Sequence, residues 1–226
     1  MEGLAPIDGW AIAAIIAKAV GYGAALLAMG GPLFTVVFPT ANADVRQLAR
    51  KVAVIAALIG LAVLALRFGI RAARISGMGL PGAIDPMMLG FVWESPLGTA
   101  AIWRGMGELA ILAILVHRIG QWIALAGSVA IAISFAQVGH ARGEPKAALT
   151  FLLVLHLLAA AFWVGALIPL RRAALSSDGA ELLHHFGNLA ACGVAALILA
   201  GISLAWLLST LWWLTICSAN PKCSFM

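Results

Sequence analysis

Long stretches of apolar residues, each about the length of a membrane-spanning helix, are the most regular feature of this chain. The hydrocarbon core of a bilayer, about 30 Å thick, is crossed by roughly 20 helical residues. Six stretches reach that length, at about Trp10–Gly31, Val52–Ile70, Ser95–Val116, Ile119–Val138, Ala147–Leu170 and Asn188–Trp213. Because backbone polar groups in lipid must be hydrogen-bonded within their own segment, each stretch is predicted to be an α-helix.

Composition supports a membrane protein and excludes several other classes. Hydrophobic residues make up 63% of the 226 residues and charged residues only 10%, whereas a soluble domain has about half and a quarter. The 24 glycines fit helices that approach each other closely in lipid. We therefore predict an all-α fold, a polytopic membrane bundle of about six helices in a single membrane domain, with residues 214–226 as a short tail. A soluble enzyme and a disulfide-stabilised secreted protein are excluded.

The connections between these stretches carry most of the charge. Pro32–Lys51 is moderately polar, and Arg71–Glu94 contains too many glycines and prolines to form one helix. The net charge is +5, and the basic residues cluster between the apolar stretches. They are therefore expected to contact lipid headgroups, and no nucleic-acid partner is expected. The basic residues divide equally between the two predicted sides of the membrane. The acidic residues favour an N-terminus outside the cytoplasm.

Two histidines are the strongest candidates for a binding site, because polar residues are costly inside a membrane. His140 closes the fourth predicted helix and His156 lies about two turns into the fifth, so a short connection brings both to one membrane face. Gln137, Trp163 and Gly165 are predicted to line the wall of this site. Two imidazoles in a dry site suit copper, zinc, iron or haem. The alternative is one histidine hydrogen-bonded to a neighbouring helix and one among the headgroups.

Methionines add soft donors that favour copper, as Cu(I), over zinc. Met87 and Met88 lie in the long connection, and Met106 lies about midway along the third helix. Thioether ligands prefer Cu(I) to harder ions. Each methionine taken alone is equally explained as a filler of apolar packing.

Arg104 and Glu108 are four residues apart near the middle of the third predicted helix, a spacing that lets them form a membrane-buried ion pair. One interpretation is a structural pair that fixes helix packing, since an unpaired charge there would be expensive. The other is a gate or proton-coupled element beside a transport path. The sequence shows no nucleophile–base arrangement, phosphate-binding loop or pair of catalytic carboxylates, so no enzymatic activity is expected.

Several segments resemble the bacterial copper resistance protein D family. The segment HLLAAAFWVGALIPL, from His156, resembles its signature helix, and SFAQVGHA, ending around His140, is similar to its helix-end histidine. WAIAAIIAKAVGYGAALLAMGGPLF and SPLGTAAIWRGMGELA resemble its first and third helices, and HHFGNLAACGVAALILAGISLAW resembles the helix after the signature helix. The resemblance implies a multi-pass inner-membrane protein with a periplasmic N-terminus that moves copper from periplasm to cytoplasm. A periplasmic copper-binding protein is an implied partner.

Two departures from the family affect these expectations. Family members often carry a histidine in the first helix, where this chain has Lys18–Tyr22, so no ligand is expected there. Members also continue with further helices, whereas this chain ends in TICSANPKCSFM, which would fit a truncated or frame-shifted end.

The prediction is thus a copper-binding inner-membrane transporter for copper resistance or homeostasis, with copper and the lipid bilayer as partners. His140 and His156 would be ligands, and Met87, Met88 and Met106 weaker donors. Two alternatives stay open: a b-type cytochrome whose two histidines hold haem, and an assembly or partner subunit that does not transport.

Overall fold

The computed structural model describes residues 9–116, 118–138, 146–175 and 179–219, and these ranges are almost entirely helical. The helices are α1 (Gly9–Val37), α2 (Ala43–Ser76), α3 (Leu80–Ile84), α4 (Pro86–Glu94), α5 (Pro96–Leu112), α6 (Arg118–Ala136), α7 (Lys146–Ala173) and α8 (Gly179–Ala219). A 3-10 turn over Ala113–Leu115 extends α5. No strand occurs in the described ranges, and the predicted all-α class is confirmed.

Six of these helices are long and apolar enough to cross a membrane, namely α1, α2, α5, α6, α7 and α8. Their number confirms the predicted polytopic bundle. The short helices α3 and α4, of 5 and 9 residues, occupy the connection that was expected to be broken. Each has a proline in its first turn, where the missing N–H has no intrahelical partner to lose. Asp85 caps α4 by accepting a hydrogen bond from the Met88 N–H at 2.9 Å.

Helix α1 is longer than predicted because it continues through a proline. The sequence places its end at Gly31, but the helix runs on to Val37 with Pro32 buried inside it. A proline removes a single backbone hydrogen bond, and membrane helices tolerate this loss when neighbouring groups compensate. The carbonyl that loses its partner is that of Ala28, four residues earlier. The Thr35 hydroxyl, one turn later, donates to the Pro32 carbonyl at 3.0 Å and so fixes the turn that follows the proline.

Helix α2 begins at Ala43 and not near Val52, because its first turns are amphipathic. Asn42 caps it, with its side-chain oxygen accepting from the Asp44 N–H at 3.1 Å. The same polar segment buries Val45 and Ala49, which lie on one helical face. The helix ends at Gly77, which adopts a left-handed conformation (φ 67°) and donates its N–H to the Ala73 carbonyl.

Helix α8 also begins early, at Gly179 and not near Asn188. Its first turns carry the exposed polar residues Glu181, His184 and His185, so they are helical without being apolar. They pack against Phe38, the residue that follows α1, whose ring meets the His185 ring edge-on at 5.9 Å. The predicted starts of α2 and α8 were wrong for the same reason: a hydropathy window finds the apolar part of a helix only.

Helix α1 lies at the centre of the bundle and packs against α2, α5, α6 and α7. Glycines allow the closest crossings. A Cβ added at Gly165 of α7 would lie 2.5 Å from the Gly30 Cα of α1, and one added at Gly107 of α5 would lie 2.7 Å from the Gly127 carbonyl oxygen of α6. Such contacts leave no room for side chains, as is usual where membrane helices associate.

Candidate functional site

His156 is half-buried on α7, nearer the end at which that helix begins. A Cβ added at Gly201 of α8 would lie 3.8 Å from the His156 Cε1, which places the ring beside α8. The Nδ1 of this ring is buried and has no hydrogen-bond partner within the described residues. Buried polar atoms in proteins are nearly always bonded, so an orphan nitrogen calls for a specific explanation such as a bound ion.

The proposed partner of this histidine, His140, lies outside the described residues. The pairing of His140 with His156 therefore stays a prediction. Gln137, expected in the wall of the same site, is half-buried just beyond α6, and its backbone N–H donates to the Ser134 carbonyl at 3.4 Å. On α7, Trp163 is 44% exposed, whereas Gly165 is buried in the crossing with α1.

The methionine candidates lie on helices that are not packed extensively against α7. Met87 and Met88 belong to α4 and Met106 to α5, whereas α7 packs against α1, α2, α6 and α8. Met87 and Met106 are 68% and 61% exposed, on the outside of the bundle. In the part of the chain that is described, no three His, Cys, Asp or Glu side chains form a group able to hold a metal. A metal bound by three side chains of these types would therefore need at least one ligand from outside the described residues.

Arg104 and Glu108 meet on one face of α5, where the arginine Nε donates to the glutamate Oε1. Glu108 is completely buried and Arg104 is only 9% exposed. The arginine also donates from Nη2 to the Gly21 carbonyl of α1 at 2.7 Å, and its guanidinium carbon lies 5.1 Å from the Phe135 ring centre of α6. Arg104, paired with Glu108 within α5, therefore connects α5 to α1 by a hydrogen bond and to α6 by a cation–π contact.

The carboxylate of Glu108 fits against the backbone of α2 at Gly60. A Cβ at that position would overlap the carboxylate, so the glycine provides the space for it. The second carboxylate oxygen, Oε2, is buried and lacks a hydrogen-bond partner among the residues described. A buried ion pair with an unsatisfied oxygen is a weak source of stability. Both the structural and the gating interpretation therefore stay open.

A small chamber of about 60 Å³, lined by both polar and apolar side chains, lies beside this ion pair. Its wall includes Arg104 of α5, Arg67 of α2, Tyr22 of α1 and Ser134 of α6. The Tyr22 ring packs edge-on against Phe135 at 5.2 Å, which closes one side. The chamber brings a second arginine toward the buried pair from another helix.

A larger outer chamber of about 450 Å³ adjoins the inner one and shares Arg67 with it. Its other cations are Lys18 of α1 and Arg71 and Arg74 of α2. None of these four cations was predicted from the sequence to belong to a site. The available signal was the spacing of the three arginines at i, i+4 and i+7, which puts them on one face of a helix.

Six long apolar helices define an integral membrane protein of the multi-pass class. The family model described as copper resistance protein D-like, N-terminal domain, matches residues 7–148, which is more than half of the chain. The chain belongs to this family, which is one of membrane copper-resistance proteins and not a known enzyme family. The resemblance to this family is thus confirmed over residues 7–148.

The matched region contains α1 to α6, the Arg104–Glu108 pair, both chambers and the three methionine candidates. His156, Trp163 and Gly165 lie beyond it. No curated protein gave a significant match to the chain. No solved structure gave one either.

Proposed function

We propose that this protein binds copper and moves it across the bacterial inner membrane, in a non-enzymatic role in copper resistance or homeostasis. The family assignment carries this proposal, because it joins copper resistance to a chain with six possible membrane spans. We propose that the transported ion is Cu(I) and that a periplasmic copper-binding protein donates it. The proposed orientation has the N-terminus on the periplasmic side of the membrane.

His156 is the residue best suited to bind the ion. Its Nδ1 is buried and unpartnered within the described ranges, and a neutral imidazole nitrogen is a good copper ligand. His140 is proposed as the second ligand, since the two histidines are separated by a short stretch of sequence. Met87, Met88 and Met106 stay weaker candidates, because their helices are not packed extensively against α7.

Copper binding by the purified protein, measured under reducing conditions with a competing Cu(I) dye, tests this site. His156→Ala is expected to abolish stoichiometric binding, and His140→Ala to weaken it. His184→Ala is the matched control, because it removes an exposed histidine from the first turns of α8, and it should bind as the wild type does. A His140/His156 double variant that binds one copper ion with wild-type affinity would show that the site is elsewhere.

Transport needs a second measurement, the uptake of Cu(I) into liposomes that contain the protein. Uptake that is lost in His156→Ala and kept in His184→Ala would support a transporter. Binding without uptake would favour the partner-subunit alternative. A Soret band in the visible spectrum of the purified protein would favour the haem-binding cytochrome.

A further inference from the structure

Four cations converge on the outer chamber without a counter-charge in the described residues. Lys18, Arg67, Arg71 and Arg74 line it, and no described carboxylate does. None of the four forms an ion pair with a described residue. Like charges at i, i+4 spacing on a helix repel each other, so this arrangement costs free energy while the chamber holds only water. An anion in the chamber would turn that cost into binding energy.

The acidic side chains of the described residues do not line the chamber. Asp85 is engaged in capping α4 through the Met88 N–H. Glu94 is exposed at the end of α4 and does not line the chamber. Glu108 is already paired with Arg104 behind the inner chamber.

The start of a helix in the chamber wall adds further positive potential. Helix α5 begins there, with Ser95, Pro96 and Leu97 lining the chamber. The N-terminal end of a helix carries a partial positive charge and favours anions. The Ser95 hydroxyl accepts a hydrogen bond from the Leu97 N–H at 3.2 Å, which fixes the direction of this helix end.

The same chamber has an apolar part that suits the attached carbon chain of an amphiphile. Ala14 of α1, Ile70 of α2 and Val138 after α6 contribute to its lining. A fully hydrated anion would gain no binding free energy from these apolar residues. A phosphate ester would, because its carbon chain can contact them. Arginine side chains bind phosphate oxygens through paired, charge-assisted hydrogen bonds.

We propose that the outer chamber is a binding site for a phosphate group, supplied by an anionic phospholipid or by a free phosphate-containing solute. His156 does not line this chamber, so the site is distinct from the proposed copper ligand. The proposal does not depend on copper binding, and the two can fail separately.

Thermal unfolding of the delipidated full-length protein in a neutral detergent tests the proposal. Short-chain phosphatidylglycerol, short-chain phosphatidylcholine and inorganic phosphate are added in separate titrations, because a ligand that binds the native state raises the unfolding midpoint. A rise with phosphatidylglycerol alone identifies the lipid headgroup, and a rise with inorganic phosphate as well identifies a general phosphate site. Equal effects of the two lipids together with no effect of phosphate would overturn the proposal.

A pair of double variants locates the effect. Arg71→Gln with Arg74→Gln should weaken binding by about tenfold or more, because hydrogen bonds to charged groups are among the stronger ones in proteins. Arg171→Gln with Arg172→Gln removes the same charge from equally exposed positions at the end of α7, outside the chamber, and should bind as the wild type does. Equal weakening in both variants would mean that only net charge matters, which would also overturn the site.

Discussion

Replacing Glu108 by glutamine is expected to destabilise the folded bundle by about 3 kcal/mol. Glutamine has nearly the volume of glutamate, so the cavity against Gly60 stays filled. What changes is the charge balance, because the Arg104 guanidinium, only 9% exposed, loses its counter-charge.

The magnitude follows from the contacts that the arginine keeps. Breaking a buried ion pair by removing one partner costs about 3–5 kcal/mol, and a central charge on the membrane-insertion scale costs about 2.5–3.5 kcal/mol. In the variant, Arg104 still donates to the Gly21 carbonyl and still faces the Phe135 ring. These contacts place the expected loss near the lower end of the first range.

Reversible unfolding in mixed detergent and SDS micelles, followed by circular dichroism, gives the free energy needed for this comparison. Glu181→Gln serves as the control, because it removes an exposed carboxylate from the first turn of α8 and should change stability by less than about 1 kcal/mol, the usual size of a charge–helix-dipole interaction. The double variant Arg104→Met with Glu108→Leu removes both charges and should recover most of the loss.

A double variant that is no more stable than Glu108→Gln would refute the structural interpretation of the pair. The two residues would then need a functional explanation, and Cu(I) uptake by liposomes would show whether the pair acts as a gate. A double variant that is stable but inactive in uptake would show that the pair has both a structural and a gating role.

Two further predictions concern packing and orientation. Gly60→Ala should lower the unfolding midpoint because its Cβ displaces the Glu108 carboxylate, whereas Gly105→Ala, with the nearest neighbouring atom 3.8 Å away, should be neutral or stabilising; equal effects would contradict the observed contact. In a background without native cysteines, Gly9→Cys should react with a membrane-impermeant thiol reagent in intact cells and Thr40→Cys only after lysis. The reverse pattern would place the N-terminus in the cytoplasm.

The number of membrane helices could be predicted from the sequence because the length of an apolar stretch is a local property. The ends of the helices could not. The first turns of α2 alternate polar residues with the buried Val45 and Ala49, which lowers the mean hydropathy without breaking the helix. Pro32 looks like a terminator in the sequence, yet the helix continues beyond it.

Contacts between candidate site residues could be predicted from the sequence only where both residues lie on the same helix. Arg104 and Glu108 meet because their spacing fixes their relative position, which needs no knowledge of the other helices. Lys18 reaches the arginines of α2 through the relative register of two helices, and no local pattern specifies that register. The same holds for Gly60, whose importance depends on a carboxylate from α5.

The central position of α1 has a consequence for how the protein is assembled. Helix α1 precedes in synthesis all the helices that pack around it, and its backbone carbonyls at Gly21 and Met29 receive hydrogen bonds from Arg104 and Ser128 of later helices. Assembly can therefore proceed outward from a core already in the membrane, as in a two-stage process of insertion and association. The face of α1 at Gly30, which packs against Gly165 of α7, stays exposed to lipid until α7 has been synthesised and inserted. A circular permutation that placed α1 last would require it to enter between helices that had already packed.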